Sequence, residues 1–197
     1  MARDTRERIV RVARELVHGS SFAQVSVEDV CQAAGVHKGS FYHFFGSKDA
    51  LGLTLLDTNW LLVRAMLDEA FDAPAPPLQR IDAFVQGFCG MLVLVAERTG
   101  TMPGCPVGPL AAELAPHGDD ARTRAAEVLD AWSGYFADAV REGQARGDLA
   151  RGLDPAEVGR QVLGYLQGMA LLAQVDGGAG LADRSRSGVR ALLGAPG

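Results

Sequence analysis

The stretch GVHKGSFYHFFGSK, residues 35–48, holds both lysines of the chain, Lys38 and Lys48. It also holds four of the thirteen aromatic side chains in five consecutive positions: Phe41, Tyr42, Phe44 and Phe45. Ammonium groups offer point charges to phosphate, and Ser40, Tyr42 and His43 offer hydrogen bonds to phosphates or base edges. Elsewhere the reactive side chains are scattered. Cys31, Cys89 and Cys105, and His18, His37, His43 and His117, show no metal-ligand or CxxC spacing. No metal, no cofactor and no disulfide framework is therefore expected. No paired carboxylates and no Ser-His-Asp set stand at a suggestive spacing, so an enzyme is not expected. Glu113 and His117 are four apart, but Pro116 and Gly118 disrupt the face between them, and they read as a surface pair.

One thiol has two readings. Cys105 lies in a Pro/Gly-rich loop, TGTMPGCPVG, just before a helix expected from Pro106 to Ala115. A helix N-terminus stabilises thiolate and lowers a cysteine pKa, which would make Cys105 reactive toward electrophiles or oxidants. The other reading is a buried, inert thiol. Cys31 and Cys89 sit on apolar helical stripes and read as core.

The elements that position these groups are helical throughout. Ile9, Val12, Ala13 and Leu16 share one face of a helix over 5–18, at spacings of three and four. Ser26-Val27-Glu28-Asp29 is a helix start, with Ser26 as cap and acids at the positive end of the dipole. Val27, Val30, Cys31 and Ala34 form its stripe, and Gly35 stops it. A second helix follows Gly35-Val36 and runs from His37 to Phe45. On it, Phe41 and Phe45 fall on one side and bury; Gly39, Tyr42 and His43 project from the other. This is the order of a helix-turn-helix, whose second helix enters the major groove. Val30, Ala34, Gly35, Val36, Phe41 and Phe45 form its core. Lys38, Gly39, Ser40, Tyr42, His43 and Lys48 are the candidate DNA contacts, with Gly39 leaving room for close approach. Solvated surface is the plainer reading of Tyr42 and Lys48, and their place away from the core favours contact.

Ser47 caps a long helix, about Lys48–Phe71, which DAPAPP breaks. Further helices are expected at about 78–98, 106–115, 119–146, 155–175 and 181–193, with Asp154 and Pro155 starting the penultimate one. The fold class is all-α, with about nine helices: an N-terminal three-helix helix-turn-helix domain, 1–49, and a larger C-terminal helical bundle, 50–197. The net charge of −5 argues against indiscriminate nucleic-acid binding by the whole chain. Residues 1–50 nevertheless carry seven basic and six acidic side chains, so the first quarter could meet a polyanion. No apolar run approaches the ~20 residues that span a membrane. MARDTRERIV lacks the apolar region of a signal peptide, and a cytoplasmic protein is expected.

The segments TRERIVRVARELV and VSVEDVCQAAGVHKGSFYHFFGSKDAL resemble the tetracycline-repressor family of bacterial regulators, over about residues 5–55 almost without a gap. The resemblance implies a three-helix DNA-binding domain, a helical domain that binds a small effector and dimerises, and a long fourth helix between them. Two positions depart from the family pattern. His37 stands where Ser or Thr usually caps the recognition helix, and Phe44 stands where His or Tyr usually contacts phosphate. PGCPVGPLAAELA resembles a pattern in a subset of the family. The implied partners are palindromic operator DNA, a second copy of the chain and a small apolar or electrophilic effector. No membrane partner is implied. Trp60, Phe84, Phe88, Met91, Cys105 and Trp132 are candidate pocket walls, though each also reads as ordinary core. Two recognition helices must reach grooves about 34 Å apart, which calls for a two-fold pair. The last two long helices are the candidate interface, where Gly159, Gly164 and Gly168 would ease close approach. A DNA-binding regulator with no small-molecule switch remains an alternative.

Overall fold

The computed structural model describes residues 2–195, and no strand occurs among them. Among the described residues nine α-helices follow one another: α1 Ala2–His18, α2 Val27–Ala34, α3 Lys38–Phe45, α4 Lys48–Phe71, α5 Pro77–Thr99, α6 Gly108–Leu114, α7 Asp119–Arg146, α8 Pro155–Asp176 and α9 Leu181–Leu192, with a 3-10 turn at Ala115–His117 after α6.

Local chemistry sets most of these ends. Ser26 and Asp29 form a reciprocal capping box: Asp29 N–H donates to Ser26 Oγ at 3.1 Å, and Ser26 N–H to Asp29 Oδ2 at 2.8 Å. Gly35 closes α2 in the left-handed conformation (φ 61°), which glycine adopts without a Cβ penalty. Ser47 Oγ accepts from Ala50 N–H at 3.0 Å and starts α4. Asp154 Oδ1 accepts from Ala156 and Glu157 N–H at 2.9 and 3.2 Å and starts α8.

Two helix starts differ from the sequence expectation by more than a residue: α1 begins at Ala2 rather than residue 5, and α6 starts late. α6 begins at Gly108, not Pro106. Pro109 is the reason: a helix starting at Pro106 would need an N–H from residue 109, and proline has none. From Gly108, Pro109 sits in the first turn, where that donor is not required.

The chain packs as two compact units, 2–60 with 106–126, and 61–105 with 127–195. This partition differs from a division at residue 49, because α4 and α7 contribute residues to both units. In the first unit, Ile9, Val12, Ala13, Phe22, Val30, Ala34, Phe41 and Leu55 are buried. Gly52 admits Phe22 and Leu114 to the α4 surface; a Cβ there would lie 2.6–2.9 Å from their side chains. In the second unit, Phe84 stacks on Phe88 at 5.9 Å, and both meet Trp132 edge-on at 6.2 and 5.7 Å. Arg190 of α9 forks onto Asp82 of α5, and Arg80 of α5 pairs with Glu142 of α7.

By length and mean hydropathy alone, α4 and α5 could cross a membrane, although uninterrupted apolar runs are short. Both instead supply core: Leu51, Leu56 and Trp60 on α4, and Ile81, Phe84, Val85 and Phe88 on α5, are buried.

Candidate nucleic-acid interface

α3 divides its side chains as its periodicity requires. Phe41 and Phe45 are buried, 5.5 Å apart between ring centres. Val30, Ala34 and Cys31 of α2 are buried in the same unit, and Val36 in the turn is half-buried. Lys38, Gly39, Tyr42 and His43 are exposed, and Ser40 and Phe44 are half-buried. Tyr42 leaves half of its surface (50%) in solvent while its ring edge packs on Phe41. A Cβ at Gly39 would meet nothing within 4 Å, so no internal packing demands this glycine. Its bare backbone is turned outward. His37 is the N-cap of α3, in extended conformation and without a side-chain cap bond. Ser40 N–H donates to His37 O at 2.9 Å, while the N–H groups of Lys38 and Gly39 precede the first intrahelical bond and face the end where an anion would bind.

The two lysines are both engaged with the protein. Lys38 Nζ donates to Glu28 Oε2 of α2 at 2.9 Å. Lys48 Nζ lies 4.6 Å from the centre of the Phe22 ring and donates to Ala23 O at 3.3 Å. Lys48 thus fastens the α1–α2 loop to α4, a duty its sequence position does not suggest, while its ammonium keeps further donors for phosphate.

That loop is gripped from the other side too. Glu113 Oε2 of α6 accepts from Ala23 N–H at 2.8 Å. His117 Nδ1 lies 2.7 Å from Asp49 Oδ1 at the start of α4, and its ring lies 6.1 Å from that of Phe22. Glu113 and His117 are therefore not paired with each other, as their spacing suggested; each holds a different part of the three-helix region. Arg14 Nε of α1 donates to Asn59 Oδ1, and Asn59 Nδ2 to Pro106 O, both at 2.8 Å. These partners lie 45 to 90 residues apart in the chain, and no local pattern announces them.

The candidate pocket residues divide between the units. Phe84, Phe88 and Trp132 come together in the second unit, with Met91 half-buried on α5. Trp60 belongs to the first unit. Cys105 is buried (5% exposed) and precedes α6 by three positions, so it is not in the first turn of that helix. The dipole argument for a reactive Cys105 loses its basis, because the dipole acts only within the terminal turn. Of the other two thiols, burial pushes Cys31 and Cys89 up. Among the described residues no cluster of His, Cys, Asp and Glu could hold a metal ion.

Residues 9–53 match the family of bacterial regulatory proteins called tetR, and residues 77–189 match the tetracyclin repressor-like C-terminal domain. The transcriptional regulator AcuR of Cereibacter sphaeroides is 34% identical over 148 residues, which cover 75% of this chain and 66%, just under two thirds, of AcuR. The HTH-type transcriptional repressor DhaR of a Mycobacterium species is 29% identical over 172 residues, 87% of this chain and 83% of DhaR. The crystal structure of a regulatory protein TetR from Rhodobacter sphaeroides superposes with a TM-score of 0.77 at 30% identity, covering 95% of this chain and 96% of that one.

Proposed function

Because this chain belongs to the tetR family of bacterial regulatory proteins, which are DNA-binding transcriptional regulators, we propose that it is a cytoplasmic, ligand-responsive repressor acting as a homodimer on a palindromic operator. The observation that carries this reading is the division of α3. Phe41 and Phe45 are buried, while Lys38, Gly39, Ser40, Tyr42 and His43 offer donors, acceptors and bare backbone on the other side. The effector in this reading is a small apolar molecule held in the second unit near Phe84, Phe88 and Trp132. α4 and α7 contribute residues to both units, so a displacement of either helix is covalently continuous with the DNA-binding region. Coupling of this kind is reciprocal: operator DNA weakens effector binding by the factor with which effector weakens operator binding.

The test is Tyr42→Ala. Tyr42 is half exposed, so its removal should leave the thermal unfolding midpoint nearly unchanged. Affinity for the operator should fall by about 1–3 kcal/mol, roughly 5- to 150-fold, in a fluorescence anisotropy titration. Operator affinity equal to wild type would reject this docking of α3.

Sensing through Cys105 has a separate signature. With Cys31, Cys89 and Cys105 each at most 5% exposed, alkylation of the native protein at pH 8 should be slow at all three. Mass spectrometry should show labelling only at the rate of unfolding. Rapid labelling of Cys105 alone would make thiol chemistry the switch.

A further inference from the structure

We propose that Glu28 is a specificity-determining residue: by holding the Lys38 ammonium, it keeps that charge off the backbone of non-operator DNA. The inference rests on the DNA-binding reading of α3.

Between residues 19 and 50 the chain carries two lysines, no arginine and three acids. The two ammonium groups are therefore the only lysine or arginine charges that α2, α3 and the start of α4 supply themselves, beside Arg6 of α1, which lies 5.3 Å from the centre of the Phe45 ring, and each has weight in phosphate binding. Lys48 is placed over Phe22 and bonded to Ala23 O. Lys38 is the first residue of α3, on the outward side, and its ammonium rests on Glu28 at 2.9 Å. The pairing has a physical cause. A cation is disfavoured at a helix N-terminus, and α3 has no acid in its first turn to offset it. Glu28 lies in the first turn of α2, where a carboxylate is favoured. Its neighbour Asp29 is occupied by the capping box, so Glu28 is the carboxylate available to Lys38.

Both partners are solvent-exposed, at 58% and 73%, and such pairs are weak. A phosphate competes with the carboxylate for the same three N–H donors. A phosphate held in register by base contacts of Tyr42 and its neighbours displaces Glu28. A phosphate on a random duplex, without that register, meets a charge already neutralised. The pair thus subtracts affinity mainly from the wrong DNA, which widens the ratio between the two.

The experiment uses the full chain and a fluorescently labelled 24-bp duplex of random sequence. Anisotropy titrations span about 25 to 200 mM salt, the range over which phosphate contacts weaken steeply. Wild type, Glu28→Gln, Lys38→Ala and the double variant are compared, with circular dichroism melts to confirm that each is folded. Glu28→Gln should tighten binding roughly fivefold at the lowest salt and steepen the log–log salt slope by about 0.9, one phosphate contact. Both effects should vanish in the Lys38→Ala background. An equal gain in that background means that Glu28 merely repels phosphate through space, and overturns the proposal. An unchanged slope in Glu28→Gln overturns it as well. If wild type and all variants fail to bind at the lowest salt, the DNA-binding reading falls with it, a result distinct from the other two.

Discussion

Alanine in place of Phe41 should cost the first unit about 3–5 kcal/mol of stability, and the DNA-binding face with it. The Phe41 ring is fully buried and meets Tyr42 and Phe45 at 5.3 and 5.5 Å between ring centres. It packs within a region whose helices α2 and α3 have only eight residues each. Short helices are not stable alone; they depend on the apolar face they bury. A domain's whole stability is of order 5–15 kcal/mol, so one such cavity removes a large share. Hydrogen-exchange mass spectrometry on Phe41→Ala should show lost protection across α1, α2 and α3 and retained protection in α8. Wild-type protection in α2 and α3 would show that the ring is not the keystone of this packing. The contrast with Tyr42→Ala is the sharper part of the prediction. Two adjacent rings on one helix should fail differently, one by unfolding and one by lost contact.

Much of this architecture is legible one residue at a time. Ser26 with Asp29, Gly35, Ser47, the DAPAPP break and Asp154-Pro155 place the helix ends, because a cap or a breaker acts on its own few neighbours. The inward and outward sides of α3 follow from a 100° step. What stayed hidden depends on a partner elsewhere in the chain. Lys38 and Lys48 read as phosphate ligands because nothing local shows Glu28 or the Phe22 ring beside them. Glu113 and His117 look like a pair at spacing four, yet their contacts are Ala23 and Asp49. The three glycines of α8 also divide in a way that composition conceals. A Cβ on Gly159 would lie 2.5 Å from Ser133 O and 3.1 Å from Ala137 N. Gly159 is therefore occupied by packing against α7. A Cβ on Gly164 or Gly168 would meet nothing within 4 Å.

That last division leads to the prediction with the largest effect on binding. Gly164, Gly168, Leu171 and Val175 follow one another at spacings of four, three and four, so they form one stripe along α8. Leu171, Leu172 and Val175 expose 61%, 55% and 85% of their surface. Apolar side chains next to bare helix backbone suit a second copy packed at close range, and a two-fold pair is what a palindromic operator requires. Leu171→Asp with Val175→Asp should scarcely disturb the folded chain, because surface substitutions usually stay within about 0.5 kcal/mol. In the proposed dimer the same change would bury two carboxylates per subunit without partners, a cost of several kcal/mol. Sedimentation velocity should show a dimer becoming a monomer with an unchanged thermal melt. Operator affinity should fall by about 10²- to 10⁴-fold, the advantage that a linked second half-site confers. Leu94→Asp is the matching control, since Leu94 is an exposed apolar residue (46%) on α5 rather than α8. If Leu94→Asp separates the subunits and the α8 variant does not, the pair is built on another face, and the spacing of its recognition helices must be derived from there.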